Sequence, residues 1–71
     1  MGDYIDPRDL EALRRASDDL NLAAGVAADN GDHLLSAVFK RWAFAASFGD
    51  SINRVGGLET LALARDYLEN N

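Results

Sequence analysis

Residues 20–38, LNLAAGVAADNGDHLLSAV, decide how this chain folds. At their centre Asp29-Asn30-Gly31-Asp32 is turn chemistry: Asn and Gly tolerate positive φ, and Asp32 is free to cap a following helix. Before the turn, Leu20, Ala23, Ala24 and Ala27 continue a series begun by Leu10, Leu13 and Ala16 at helical spacing, while Arg8, Glu11, Arg15, Asp18 and Asp19 fall largely on the other side. After it, Leu34, Val38, Trp42, Ala45, Phe48, Ile52 and Val55 recur at steps of three or four. Two apolar stripes of this period joined by so short a turn predict an antiparallel helical hairpin.

The punctuation sets the limits of the helices. Asp6-Pro7 reads as an N-cap acid followed by proline at the first helical position, with Asp9 and Glu11 near the positive end of the helix dipole, so the first helix is expected over about 7–28. The second is expected over about 33–55, because its period runs through Gly49. An interior glycine costs roughly 0.5–1 kcal/mol relative to alanine, which suits a place where another backbone comes close. The competing reading is a break at Gly49, with Asp50 capping a short helix. Gly56-Gly57 is a clear interruption, and Leu58, Leu61, Ala64 and Leu68 predict a third helix over about 58–69 that frays at Asn70-Asn71.

Folding the first two helices back about Asn30-Gly31 brings together residues whose numbers add to about 61: Val26 with Leu35, Ala23 with Val38, Leu20 with Trp42, Ala16 with Ala45, Leu13 with Phe48, Leu10 with Ile52. The same operation about Gly56-Gly57 pairs Leu61 with Ile52 and Leu68 with Ala45. The expected fold is all-α, a small three-helix bundle forming one domain over residues 1–71.

The second helix carries more apolar surface than the roughly 100° stripe a surface helix needs. Phe39, Ala43 and Ala46 lie at one edge of the arc and Phe44 at the other, which marks them as interface candidates flanked by Lys40, Asp50, Arg54 and Asp66. The alternative is that Tyr67, Leu63 and Tyr4-Ile5 close over them within the molecule. Arg41 falls inside the apolar arc, opposite Asp19 and Leu20, so an ion pair with Asp19 or Asp18 is expected there.

Size and composition narrow the remaining classes. At 71 residues without cysteine, the chain holds one small core and no disulfide, and a core of this size supplies only about 3–5 kcal/mol. Completion by dimerisation is therefore expected. With His33 the only histidine, no zinc site or other cofactor is expected. Twelve acids against seven bases argue against nucleic acid as a partner and favour protein. Arg as nearly the sole base, Asp as the leading acid and abundant Ala fit a bacterial or phage genome. The sequence shows neither a basic stretch leading into an apolar one nor a run of roughly 20 apolar residues, so no membrane association and a cytoplasmic location are expected, the host's cytoplasm if phage-encoded.

Catalytic residues are not expected. A Ser-His-Asp arrangement would have to use His33, beside a turn where exposed histidine is ordinary. The Asp29–Asp32 stretch lacks the alternating ligands and distal Glu of a calcium loop, Asp18-Asp19 and the Asp3, Asp6, Asp9 run read as solvated surface and helix start, and Gly56-Gly57 lacks the Gly-Lys-Ser/Thr of a phosphate loop. Asp50-Ser51-Ile52 resembles the Asp-Ser-Leu at which acyl carrier proteins take phosphopantetheine, in those three residues only. Carrier proteins open a helix with that serine near mid-chain and place two more helices after it, an arrangement the expected helices do not offer. A helix-turn-helix over Phe44–Leu58 would have its recognition helix broken by Gly56-Gly57 and would show DNA only Asn53 and Arg54. The expectation is a non-enzymatic protein-binding module, a homodimeric adaptor or inhibitor of bacterial or phage origin. The competing class is a helical transcriptional or antitoxin-type regulator that dimerises and touches DNA weakly.

Overall fold

The computed structural model describes residues 4–70, apart from the side chain of Asp50. Asp3, Asn71 and the roles assigned to the Asp50 side chain therefore lie outside the described residues. Helix α1 spans Leu10–Asp29, α2 His33–Ala46 and α3 Gly57–Asn70, with a 3-10 helix at Gly49–Asn53 between the last two. The chain is a small three-helix bundle in which α1 packs against both other helices, most extensively against α2.

The first helix begins three residues later than Asp6-Pro7 implies. The Asp6 carboxylate accepts from the Arg8 backbone N–H at 2.9 Å and its carbonyl from the Asp9 N–H at 2.9 Å, so Pro7-Arg8 forms a turn ahead of the helix. The Arg8 guanidinium and backbone hold the Asp6 carboxyl below its usual range. Asp9 is the actual cap, accepting from the Ala12 N–H at 3.1 Å. A proline flanked by two acids that can cap, Asp6 before it and Asp9 after it, offers two start sites, and the later one keeps Leu10 at the first turn. At the other end Asp32 occupies the N-cap position of α2 without a side-chain cap bond.

The second helix ends at Ala46, not Val55. Gly49 has φ +69°, a left-handed backbone that leaves the helix and that glycine adopts without steric cost. Ser47 donates to the Ala43 carbonyl at 3.2 Å and Ser51 to the Phe48 carbonyl at 3.3 Å, local bonds that compete with helical ones. The break has a packing reason. Sixteen residues beyond core-facing Ser36, Ile52 on an unbroken helix would point roughly 160° away from the core. After the break, Ile52 turns inward and is fully buried.

The hairpin closes about the expected turn, with α2 rotated relative to the expected pairing. Ser17 donates to the Ala43 carbonyl at 3.1 Å and Ser36 to the Ala24 carbonyl at 2.8 Å, each reaching from one helix into the other, and each pair of numbers adds to 60. The buried face of α1 includes Ala16, Ala23, Ala24 and Ala27, and that of α2 carries Ser36, Ala43 and Ala46 about Phe39, mostly small residues that let the backbones approach. Leu13, Leu20, Phe39, Ile52, Leu61 and Ala64 complete the core, each large buried side chain contributing roughly 1.5–3 kcal/mol. Leu58 and Leu68 pack at its margin as their spacing implies. Gly57 sits where a Cβ would collide with the Ile52 carbonyl and meet the Trp42 ring at 3.0 Å, so α3 starts against the floor of the bundle. Glu59 reaches back to accept from the Gly56 N–H at 3.1 Å, one half of a capping box, since Gly56 has no side chain to complete the other.

Candidate interaction surface

The rotation of α2 reverses the expected surface. Phe39 is fully buried, its ring edge-on to Tyr67 with centroids 5.8 Å apart, and Ala43 and Ala46 lie buried with it in the core. These three are therefore not surface residues of the chain, because the side of α2 that carries Ser36, Phe39, Ala43 and Ala46, not the side of Leu34 and Val38, turns into the bundle. Of the residues weighed as covers, Tyr67 and Ile5 do pack against the core, while Tyr4 and Leu63 are exposed.

What faces outward is part of the stripe read as core, Leu34, Val38 and Phe48, together with the interface candidate Phe44, whereas Trp42 packs against the core and Ile52 is buried. Leu34 is 84 % exposed, Phe44 68 %, Phe48 61 % and Val38 41 %. The rings of Phe44 and Phe48 meet edge to face at 4.8 Å, which carries the ridge past the end of α2 at Ala46. Ala37 and Arg41 are exposed on the same side and Ala45 is half-buried there. Two phenylalanines two-thirds exposed present on the order of 200–300 Å² by themselves, and with Leu34 and Val38 the patch reaches the range that marks interaction sites on small proteins.

Arg41 is exposed at the middle of this ridge. The pair expected with Asp19 is not made: Asp19 accepts from Arg65 of α3 at 2.8 Å, and Asp18 pairs with Arg14 at 3.2 Å, one turn away on its own helix. Rotation of α2 carries Arg41 away from α1, and Arg65 takes its place. Lys40, Arg54 and Asp66 are exposed, and no side-chain contact gathers them into one site with the ridge. The helix α2 holds two of the seven basic residues and none of the twelve acids, so its outer face is the least acidic part of a chain of net charge −5.

The other candidates take ordinary places. His33 is exposed at the start of α2, and Asn30 donates to the Tyr67 hydroxyl at 3.1 Å, tying the turn to α3. Asn53 spends its amide on the backbone of Ile5, accepting from its N–H at 2.9 Å and donating to its carbonyl at 2.8 Å. Among the described residues no three His, Cys, Asp or Glu side chains converge as metal ligands, and no helix is long and apolar enough to cross a membrane. No protein-family model matches the chain, and no curated or solved protein is significantly similar to it.

Proposed function

We propose that this chain is a non-enzymatic protein-interaction module whose contact surface is the outward face of α2. The observation that carries the reading is the exposed ridge of Leu34, Val38 and Phe44 on a helix whose opposite face already makes a complete hairpin with α1, extended by Phe48 just past the helix end. Burying such a ridge is favourable for any apolar partner surface of matching shape, at roughly 25 cal/mol per Å² before the costs of association. The module acts by occupying a surface, as an adaptor or an inhibitor. The basic and apolar character of α2 suits contacts away from the acidic outer sides of the bundle. The competing DNA-contacting reading draws less support, because Asn53 is committed to Ile5.

A photo-crosslinking residue placed at Phe44, with a control at exposed Arg15 on α1, tests this in the cell that encodes the chain. A discrete protein adduct at position 44 and not at 15 is the expected result. No adduct at 44, or the same pattern at both positions, would overturn the reading.

A further inference from the structure

We propose that the occupant of the α2 face is a second copy of this chain, packed antiparallel about a two-fold axis at Arg41. The inference rests on the reading of that face as a contact surface and names its partner. Counting outward from Arg41, Val38 and Phe44 stand three residues to either side, Ala37 and Ala45 four, and Leu34 and Phe48 seven. An antiparallel copy with Arg41 opposite Arg41 therefore lays Leu34 over Phe48 of the second copy, Val38 over Phe44, and Ala37 over Ala45. Such self-complementarity is what an isologous contact requires. A shift by one helical turn in either direction leaves large side chains at both ends of the ridge in water.

Area agrees with this occupant, and charge bears on its register. The four large side chains, with Ala37, Ala45 and the aliphatic stems of Lys40 and Arg41, amount to about 1,000 Å² over two copies, at the lower limit for a specific contact. The pairing is therefore a reversible one. It also turns the acid-free helix of each copy toward the other and leaves the acids of α1 and α3 on the outside. The cost is the meeting of two guanidinium groups. A single charged residue in a helix–helix seam fixes register at the expense of stability. On the axis both arginines can leave sideways to water along their long stems, whereas any shifted register presses each against apolar side chains. Arg41 thus sets the register and Phe44, Phe48, Leu34 and Val38 supply the affinity.

Sedimentation velocity of the purified chain from about 1 µM to about 500 µM is expected to show a monomer–dimer equilibrium with a midpoint on the order of 10 µM. Phe44→Asp is expected to remain a helical monomer throughout, and Arg41→Leu to tighten the dimer about tenfold by removing the charges from the seam. The absence of cysteine makes single-cysteine variants clean probes. With a short bis-maleimide, Arg41→Cys is expected to couple to itself at least tenfold faster than Leu34→Cys or Phe48→Cys alone, while a mixture of the latter two couples as a heterodimer, since helix axes in contact lie about 8–10 Å apart. A folded monomer at the highest concentration, or faster self-coupling at position 34 or 48 than at 41, would overturn the proposal. So would a monomer that partitions onto anionic phosphatidylglycerol vesicles through the same residues. If the chain is monomeric and the position-44 adduct in cells has a different mass from two copies, the contact face stands and the second copy falls. If position 44 gives no adduct at all, the face itself falls.

Discussion

Two phenylalanines five residues apart on one helix have opposite expected fates on truncation. Phe39 is fully buried and edge-on to Tyr67 at 5.8 Å. Phe39→Ala removes its transfer free energy and leaves a cavity in a bundle whose alanine-lined neighbours have little with which to refill it, a loss of about 3–5 kcal/mol. Small domains of this size hold about 3–5 kcal/mol in total, so the variant is expected to be largely unfolded at room temperature. Phe44 is 68 % exposed and its ring contact with Phe48 is its chief partner. Phe44→Ala is expected to cost no more than about 0.5–1.5 kcal/mol, the worth of an aromatic pair. In a domain of 60–100 residues each kcal/mol moves the melting midpoint by roughly 4–8 °C, so the two variants should differ by tens of degrees. Thermal unfolding followed by far-UV circular dichroism at low micromolar concentration, where self-association is minor, measures the difference. Comparable midpoints for both variants would refute the placement of α2, and with it the identity of the outer face.

Ser36→Ala removes the buried hydroxyl bond to the Ala24 carbonyl at 2.8 Å and is expected to destabilise by about 0.5–1.5 kcal/mol in urea unfolding, with the slope unchanged. Gly57→Ala is expected to cost about 1–3 kcal/mol, because its methyl meets the Ile52 carbonyl, whereas Gly25→Ala, whose Cβ would enter open space in the middle of α1, should stabilise by about 0.5–1 kcal/mol. The Asp6 carboxyl is expected to titrate below the ordinary aspartate range by NMR, and Arg8→Ala to raise it part of the way back, because the backbone N–H of residue 8 still donates to it. The sign follows from a lowered folded-state pKa: the Asp6–Arg8 pairing is present at neutral pH and is lost as pH falls through that value.

The all-α class, the turn at Asn30-Gly31 and the third helix after Gly56 were legible because each rests on local chemistry, a 3.6 period or a residue that breaks it. The rotation of α2 was not legible from apolar size. Its sequence carries two stripes, one of large residues through Leu34, Val38 and Phe48 and one through Ser36, Phe39, Ala43 and Ala46 that is small apart from Phe39, and bulk assigns the first to the core. The structure chooses the second, because the facing side of α1 is built of Ala16, Ala23, Ala24 and Ala27, which accept close backbones and not stacked large side chains. The signal was present in the polar residues: Ser17 and Ser36 each need a carbonyl across the seam, and each finds it at the matching distance on the other side of the turn, at Ala43 and Ala24. The same mistaken stripe carried the second helix through Gly49, since Ile52 and Val55 keep the period that Gly49 ends. In the structure those two part company, Ile52 fully buried and Val55 98 % exposed.

The clasp between Asn53 and Ile5 bears on the order in which the molecule assembles. Its two partners are 48 positions apart, so on a ribosome adding about 5–20 residues per second the hairpin of α1 and α2 is complete in sequence before the clasp has its second half. Until residue 53 emerges, Ile5 has no amide to receive its backbone and its side chain no finished wall to lie against. The segment before α1 is thus a latch whose closing contact spans most of the chain, whereas the hairpin it lies beside is built from contacts about its own turn.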